Sequence, residues 1–123
     1  MAKRVLVVDD EAAILMAFKK LLQSQKVIVD TAETLEDAMA LIEEHVYDVV
    51  IADLRLTGAC AEEGLEIIRH VRQRHPGTQT ILLTAYGNQE VREKSRRLGT
   101  AFYFEKPVSG SLMKDTLRKC GVE

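Results

Sequence analysis

Short, continuous runs of apolar residues recur along the chain and are separated by longer stretches in which apolar residues are spaced as in helices. The runs cover residues 4–8, 27–29, 49–52, 80–83 and 101–105. They are rich in β-branched side chains and do not alternate with polar residues, which is typical of strands buried on both faces. The pattern therefore predicts five buried strands.

Stretches with a helical apolar stripe follow each of these runs. The first stripe consists of Ile14, Phe18, Leu21 and Leu22, and the second helix begins at Thr34, with Asp37 three residues later as in a weak capping box. The third stripe spans residues 65–71 and is closed by Pro76-Gly77. The last two helices are predicted over residues 89–98 and 110–120, each followed by glycine.

Strands that alternate with helices form βαβ units, which build a parallel sheet with helices on both faces. The sequence therefore predicts a doubly wound α/β fold, with one domain over residues 1–123. Ligands of such folds bind outside the carboxyl ends of the strands, where the strand order reverses. The residues that follow the strands are thus the candidates for chemistry.

Composition narrows the function without fixing it. Hydrophobic residues make up 46% and charged residues 29%, as in ordinary globular proteins, and no apolar run is long enough to span a bilayer. We see no export leader, and the widely spaced Cys60 and Cys120 suggest free thiols, so we expect a cytoplasmic protein with no membrane association. A net charge of −2 argues against direct nucleic-acid binding.

Polar side chains follow the first, third, fourth and fifth predicted strands. Asp9 and Asp10 follow the first, Asp53 the third, Thr84 the fourth and Lys106 the fifth. Taken singly, each is most often a cap, a turn residue or a solvated lysine. Such roles do not explain why all of them stand at strand carboxyl ends, where a parallel sheet brings them to one edge.

This set of groups suits the transfer of a phosphoryl group onto a carboxylate. Crowded carboxylates need a cation, and oxygen ligands without histidine or cysteine favour Mg²⁺. A carboxylate beside Mg²⁺ can attack phosphorus and form an aspartyl phosphate. The metal, the Lys106 ammonium and the Thr84 hydroxyl can each meet one phosphoryl oxygen.

Two other classes of protein fit the sequence less well. A phosphatase of the haloacid-dehalogenase type also uses Asp, Thr and Lys, but its nucleophile lies in a D-x-D motif after the first strand, and this chain has Asp9-Asp10 there. A nucleotide-binding module needs a glycine-rich phosphate loop, and neither G-x-G-x-x-G nor G-x-x-x-x-G-K is present.

Four segments, VLVVDDE, DVVIADLRL, ILLTAYG and FYFEKPV, resemble the signature stretches of response-regulator receiver domains. The resemblance covers essentially the whole chain and implies a flavodoxin-like five-stranded sheet of order 2-1-3-4-5 with five helices. It implies that Asp53 is the phosphoacceptor and that Mg²⁺ is held by Asp10, Asp53 and the backbone carbonyl of Arg55, with Asp9 acting mostly through water.

The same resemblance assigns roles to residues around the acceptor. Thr84 and Lys106 would contact the phosphoryl oxygens, and the bond before Pro107 would be cis, which an X-Pro bond allows at small cost. Tyr103 would be the switch aromatic, turning inward when Thr84 moves toward the phosphoryl group. The alternative for Tyr103 is an ordinary half-buried strand residue.

The chain departs from the family pattern in two places. The family typically has proline four residues after the acceptor and glycine about four further on, whereas here Thr57 replaces the proline and the glycine is Gly64, so this loop is about three residues longer. The fourth helix has only Val91 and Leu98 as firm apolar anchors. Its basic residues form either a solvated surface or a partner-docking face: Arg92, Lys94, Arg96 and Arg97.

Partners follow from the resemblance. A sensor histidine kinase or a phosphotransfer protein would donate the phosphoryl group, and an effector domain or protein would respond to it. Ala101-Phe102 precede Tyr103 where dimerising receivers carry an acid, so we expect a mostly monomeric chain. The resemblance places Arg55 and Tyr86 beside the phosphoryl group, where their large side chains would shield it from water and slow self-dephosphorylation; the alternative is that both side chains point into solvent. The alternative function is a degenerate receiver, an interaction module that needs no phosphorylation.

Overall fold

Five parallel strands form one sheet in a computed structural model that describes residues 2–57, 61–85 and 87–122. The strands are β1 Lys3–Val8, β2 Val27–Ala32, β3 Val49–Asp53, β4 Gln79–Thr84 and β5 Phe102–Glu105. Their order across the sheet is β2-β1-β3-β4-β5, which confirms the predicted flavodoxin-like topology. The order reverses beside β1, since β2 lies on one side of it and β3 on the other.

Five helices connect and flank these strands: α1 Ala12–Leu22, α2 Leu35–Glu44, α3 Glu63–Arg74, α4 Gln89–Arg97 and α5 Gly110–Lys119. Side chains cap three of them in the way sequence propensity predicts, with Thr34 accepting from the Asp37 amide, Asn88 from Val91 and Ser109 from Leu112. In the described part of the chain, no helix has the length and apolarity that crossing a membrane requires.

Cores on both faces of the sheet explain the continuous apolar runs of β1, β3 and β4. The prediction of five buried strands is wrong for the two edge strands, since Ile28 of β2 is exposed and β5 is partly buried to exposed along its length. In β1, Val5 and Val7 pack toward α1 and α5, with Met113 and Leu117 of α5 in the same cluster. The intervening Leu6 and Val8 pack on the opposite face, toward α2 and α3. Since successive side chains of a strand point to opposite faces, every residue of this run must be apolar.

Strand β2 is longer than the apolar run that predicted it. It continues through Ala32 because Asp30, a polar residue that ended the run, has two partners in the fold. Its Oδ2 accepts hydrogen bonds from the Tyr47 hydroxyl at 2.7 Å and from the Arg4 guanidinium at 3.0 Å. These partners are distant in sequence, so the apolar pattern alone ends the strand too early.

Helix α4 contributes little to the core, as its sequence predicts. Only Val91 and Ser95 of its residues are buried. Most of its cations are engaged within the chain: Lys94 lies 3.0 Å from Glu62 and Arg96 2.5 Å from Glu93. The helix is therefore a charged surface element whose charges are largely matched internally.

Candidate functional site

The sheet brings the predicted residues to one edge because neighbouring strands end at matching positions. Val8 at the end of β1 is in register with Ala52 of β3, so the residues that follow them, Asp9 and Asp53, lie beside each other. On the other side of β3, the amide of Lys106 donates to the Thr84 carbonyl at 2.8 Å and continues the β4–β5 pairing. The carboxyl ends of four strands thus meet at the point where the strand order reverses.

Asp9, Asp10 and Asp53 form an acidic cluster at this point. One carboxylate oxygen from each lies within 4.8 Å of the others. Asp9 and Asp53 are buried, with relative exposures of 1% and 7%, whereas Asp10 is exposed and opens the cluster to solvent. A cluster of oxygen ligands with one open side could hold a hard divalent cation that keeps several of its waters.

Lys106 provides the positive charge of the site. Its Nζ lies 2.7 Å from Asp9 Oδ2 and 3.4 Å from Asp53 Oδ1. Burial works against the charged form of Lys106, but the hydrogen bond to Asp9 and the charge of Asp53 outweigh it and raise the pKa of Lys106. The lysine therefore stays protonated between two carboxylates.

Asp9 has both carboxylate oxygens engaged by the protein. Oδ1 accepts a hydrogen bond from the Glu11 amide at 2.9 Å, and Oδ2 accepts one from Lys106. A carboxylate that is already occupied in this way is less free to coordinate a metal directly.

The pKa of Asp53 lies above the ordinary value for an aspartate. Burial is the largest cause, and the charges of Asp9 and Asp10 add to it, so that the pKa of Asp53 is raised to about 6 although Lys106 opposes the shift. The carboxylate is still mostly ionised at neutral pH. It is also more basic than an ordinary aspartate, which suits a nucleophile.

The structure describes some of the other residues that the sequence analysis singled out. Thr84 is buried, with 1% relative exposure, at the end of β4. Arg55 is half-buried, with a buried Nε, so its side chain does not simply extend into solvent. Tyr86, Cys60 and part of the loop from Thr57 to Gly64 lie outside the described residues. The Cys120 thiol is free.

Tyr103 lies on the α4 side of β5. Its ring packs against the cluster that contains Leu82 and Val91, and its hydroxyl is buried and without a hydrogen-bond partner among the described residues. A Cβ at Gly87 would overlap that hydroxyl, so the ring reaches the β4–α4 loop. The Arg92 guanidinium covers the ring at 4.5 Å from its centroid and lies 3.8 Å from Glu105. Burial, and then Glu105, raise the pKa of Tyr103.

Two further features bear on the sequence predictions. The Lys106–Pro107 peptide bond is cis, as expected.

The sequence analysis missed Glu63. It is buried at 7% relative exposure and accepts hydrogen bonds from the Leu56 amide at 3.0 Å and the Thr57 hydroxyl at 2.5 Å. Burial would raise the pKa of Glu63, but these hydrogen bonds outweigh it and lower the pKa. The only sequence signal is an acid directly before Gly64.

Comparisons with known proteins identify the family of this chain. The chain matches the family model of the response regulator receiver domain over residues 5–118. It is 35% identical to the transcriptional regulatory protein ResD of Bacillus subtilis over 106 residues, which are 86% of this chain and 42% of ResD. It is 32% identical to the alginate biosynthesis transcriptional regulatory protein AlgB of Pseudomonas aeruginosa, again over 86% of this chain but 23% of AlgB. The chain thus spans less than half the length of either relative.

Solved structures show the same relationship at the level of the whole fold. A CheY-like receiver domain protein from Methanospirillum hungatei JF-1 superimposes with a TM-score of 0.87 at 29% identity, covering 98% of this chain and 95% of that one. The BeF3-activated DrrB receiver domain gives a TM-score of 0.83 at 30% identity, covering 98% and 97%. The chain belongs to the response regulator receiver domain family and is a receiver domain of two-component signalling.

Proposed function

We propose that this receiver domain accepts a phosphoryl group on Asp53 in a Mg²⁺-dependent reaction and thereby changes its surface for a downstream partner. The observation that carries the proposal is the convergence of Asp9, Asp10 and Asp53 within 4.8 Å, with the Lys106 ammonium 3.4 Å from Asp53. Two buried carboxylates and an exposed one that share the Lys106 ammonium form a site that is short of positive charge. A divalent cation and a phosphoryl group complete it.

The acceptor step uses the ionised Asp53 carboxylate. One of its oxygens forms a bond to phosphorus while the bond from phosphorus to the donor breaks, and the donor keeps the electron pair. The Thr84 hydroxyl donates a hydrogen bond to one phosphoryl oxygen, and the Lys106 ammonium contacts another. Lys106 can do so because it already contacts Asp53, the residue that receives the group.

The acidic cluster fits Mg²⁺ by the chemistry of its donors. Asp10 and Asp53 would supply carboxylate oxygens, Asp9 would contribute through water, and the backbone carbonyl of Arg55 would complete the set from the protein. All are hard oxygen ligands, and the set contains no histidine or cysteine. When bound, Mg²⁺ would offset the charge that accumulates on the phosphoryl oxygens in the transition state.

The response to phosphorylation involves Thr84 and Tyr103. When Thr84 is drawn toward the phosphoryl group, the β4–α4 loop and the ring that touches it at Gly87 rearrange, which alters the α4–β5 surface. The donor is a histidine kinase or a phosphotransfer protein. Because ResD and AlgB are transcriptional regulators longer than this chain, the receiving partner is an effector domain or protein.

The phosphoryl group should be long-lived on this domain. Arg55 is half-buried two residues after the acceptor, where its guanidinium can pair with a phosphoryl oxygen and restrict access of water. We therefore expect Arg55→Asn to lose phosphate severalfold faster than the parent protein. An unchanged rate would exclude this shielding while leaving the acceptor assignment intact.

The proposal is tested by phosphorylation with acetyl phosphate and Mg²⁺, followed by intact-mass spectrometry. The parent should gain one phosphoryl group, Asp53→Asn should gain none, and EDTA should block the reaction. Asp48→Asn is the matched control, since Asp48 stands directly before β3, at the opposite end of the strand from Asp53, and accepts a hydrogen bond from the Arg4 amide.

Two outcomes would contradict the proposal. Labelling of Asp53→Asn at the parent's level would place the acceptor elsewhere. A parent that binds partners but is labelled by neither acetyl phosphate nor any histidine kinase would be the phosphorylation-independent interaction module.

A further inference from the structure

The loop after the acceptor contains a buried carboxylate that no role in phosphoryl transfer explains. Glu63, the first residue of α3, turns back toward the end of β3 and binds the Leu56 amide through Oε1 and the Thr57 hydroxyl through Oε2. Burying an ionised carboxylate is costly unless it is hydrogen-bonded, and here both oxygens are. The arrangement therefore fixes the loop at Leu56 and Thr57.

The Leu56 amide matters because it belongs to the same peptide unit as the Arg55 carbonyl. A peptide unit is planar, and in the trans form its C=O and N–H point in opposite directions. The Arg55–Leu56 bond is trans, since the cis bond of the described chain is Lys106–Pro107. Holding the Leu56 N–H on Glu63 consequently directs the Arg55 carbonyl oxygen away from Glu63, in one fixed orientation.

The peptide unit on the other side of Arg55 is also held, by the residue next to Glu63. The Gly64 amide donates to the Leu54 carbonyl at 2.9 Å. Gly64 can approach this closely because it lacks a side chain: a Cβ there would lie 2.8 Å from Leu54 Cα and still closer to the Asp53 carbonyl oxygen. The pair Glu63-Gly64 thus fixes the backbone on both sides of Arg55.

From this geometry we infer that Glu63 is a positioning residue for the metal site, which orients the Arg55 carbonyl for Mg²⁺ by binding the Leu56 amide. The inference rests on the proposed function, in which that carbonyl is a ligand. Mg²⁺ demands near-ideal octahedral geometry, so a carbonyl ligand whose direction is set beforehand would bind it more tightly. In this chain Thr57 stands where a proline is typical, and its hydroxyl gives Glu63 the second hydrogen bond that holds it in place.

The inference is tested by titrating Mg²⁺ into the phosphate-free protein by calorimetry. Glu63→Ala should weaken Mg²⁺ binding by about tenfold or more, as removal of an outer-shell partner typically does. Glu63→Gln should bind nearly as well as the parent, because its amide oxygen can still accept from Leu56 and its amide nitrogen can donate to Thr57. If Glu63 acted only through its negative charge, Glu63→Gln would instead behave like Glu63→Ala.

Hydrogen exchange of the Leu56 amide supplies a readout that is independent of the metal. Protection should fall in Glu63→Ala and persist in Glu63→Gln. Tyr47→Phe is the matched control: Tyr47 lies before the start of β3, and the change removes its partly buried hydrogen bond to the Asp30 carboxylate, which should lower stability without changing Mg²⁺ affinity. Thr57→Val, which removes one of the two hydrogen bonds, should weaken Mg²⁺ binding less than Glu63→Ala does.

The possible results separate this inference from the proposed function. Unchanged Mg²⁺ affinity in Glu63→Ala, with Leu56 protection lost, would overturn the positioning role while the acceptor site stands. If Glu63→Ala does not fold, equal affinities for Thr57→Val and the parent, together with a large loss in Glu63→Gln, would overturn it as well. A parent protein that binds no Mg²⁺ would overturn both.

Discussion

Lys106 and Asp9 come from opposite ends of the chain, and the Lys106 ammonium lies 2.7 Å from Asp9 Oδ2. The side chains are largely enclosed, with exposures of 18% and 2%. This contact holds the loop after β5 against the end of β1. It also places the ammonium where it reaches Asp53 at 3.4 Å, so one cation offsets two buried carboxylates.

Removing that cation should destabilise the metal-free protein. Lys106→Met leaves Asp9 and Asp53 buried without a positive partner, and we expect the free energy of unfolding in EDTA to fall by about 2 kcal/mol. Urea denaturation measures the change. Lys114→Met, at an exposed position of α5, is the control and should change stability by about 0.5 kcal/mol or less. Equal effects of the two substitutions would show that the contact contributes nothing.

Neutralising Asp53 should stabilise the metal-free protein, but only at a pH where the Asp53 carboxyl group of the unfolded chain is ionised. The pKa of Asp53 is raised from 3.8 to about 6, so between these values the folded protein keeps a proton that the unfolded chain loses. Stability therefore falls as the pH rises through this window. Asp53→Asn should raise the free energy of unfolding in EDTA by about 1 to 3 kcal/mol at about pH 7.5, and by almost nothing below about pH 4.

The neighbouring acid is the matched comparison for this pH effect. Asp10 belongs to the same cluster but is exposed, so Asp10→Asn should stabilise the metal-free protein less than Asp53→Asn does. Both substitutions should weaken Mg²⁺ binding. If the midpoint of urea denaturation is unchanged or lowered in both variants, the carboxylates do not repel one another appreciably.

The contact between Gly87 and Tyr103 predicts a specific steric effect. A methyl group at Gly87 would overlap the Tyr103 hydroxyl and lie 3.1 Å from Cζ, whereas a methyl group at Gly77 would meet nothing within 4 Å. Gly87→Ala should displace the ring and cost about 1 to 2 kcal/mol of stability, and Gly77→Ala should be close to neutral. The NMR shifts of the Tyr103 ring report the displacement; if they are the same in both variants, the ring does not occupy this position.

The α4–β5 surface should not support a salt-bridged dimer. Ala101 and Phe102 carry no charge, and Arg92 is already paired with Glu105 at 3.8 Å within the chain. The phosphorylated protein should therefore have the mass of a monomer in light scattering. A tight dimer that is disrupted by Arg97→Glu, a change at an exposed position of α4, would contradict this expectation.

The strands and the acceptor cluster could be predicted because the information is local. The apolar runs of β1, β3 and β4 are buried on both faces and stop where the chain reaches a polar group, as at Asp9 and Asp53, and a parallel sheet then brings those ends together. The alternation of strands and helices predicts the parallel sheet and the helices on both of its faces. Residue type and position along the chain were sufficient for this part of the site.

The contacts that depend on loop conformation could not be predicted in this way. Glu63 looks like an ordinary solvated acid at a helix start, and its burial depends on a loop that folds back onto Leu56. The stacking of Arg92 on Tyr103 likewise depends on how α4 lies against β5. Both contacts join residues whose relation is set by tertiary structure and not by spacing in the sequence.

The most direct test of the central claim is to identify by chemical means the residue that carries the phosphoryl group. The protein is phosphorylated with acetyl phosphate and Mg²⁺, then reduced with borohydride, which converts an aspartyl phosphate to homoserine, and the modified residue is located by peptide mass spectrometry. We expect homoserine at Asp53 alone, with none at Asp9 or Asp10, which share its cluster. Homoserine at either neighbour, or a phosphate that resists reduction, would contradict the assignment of Asp53 as the phosphoacceptor.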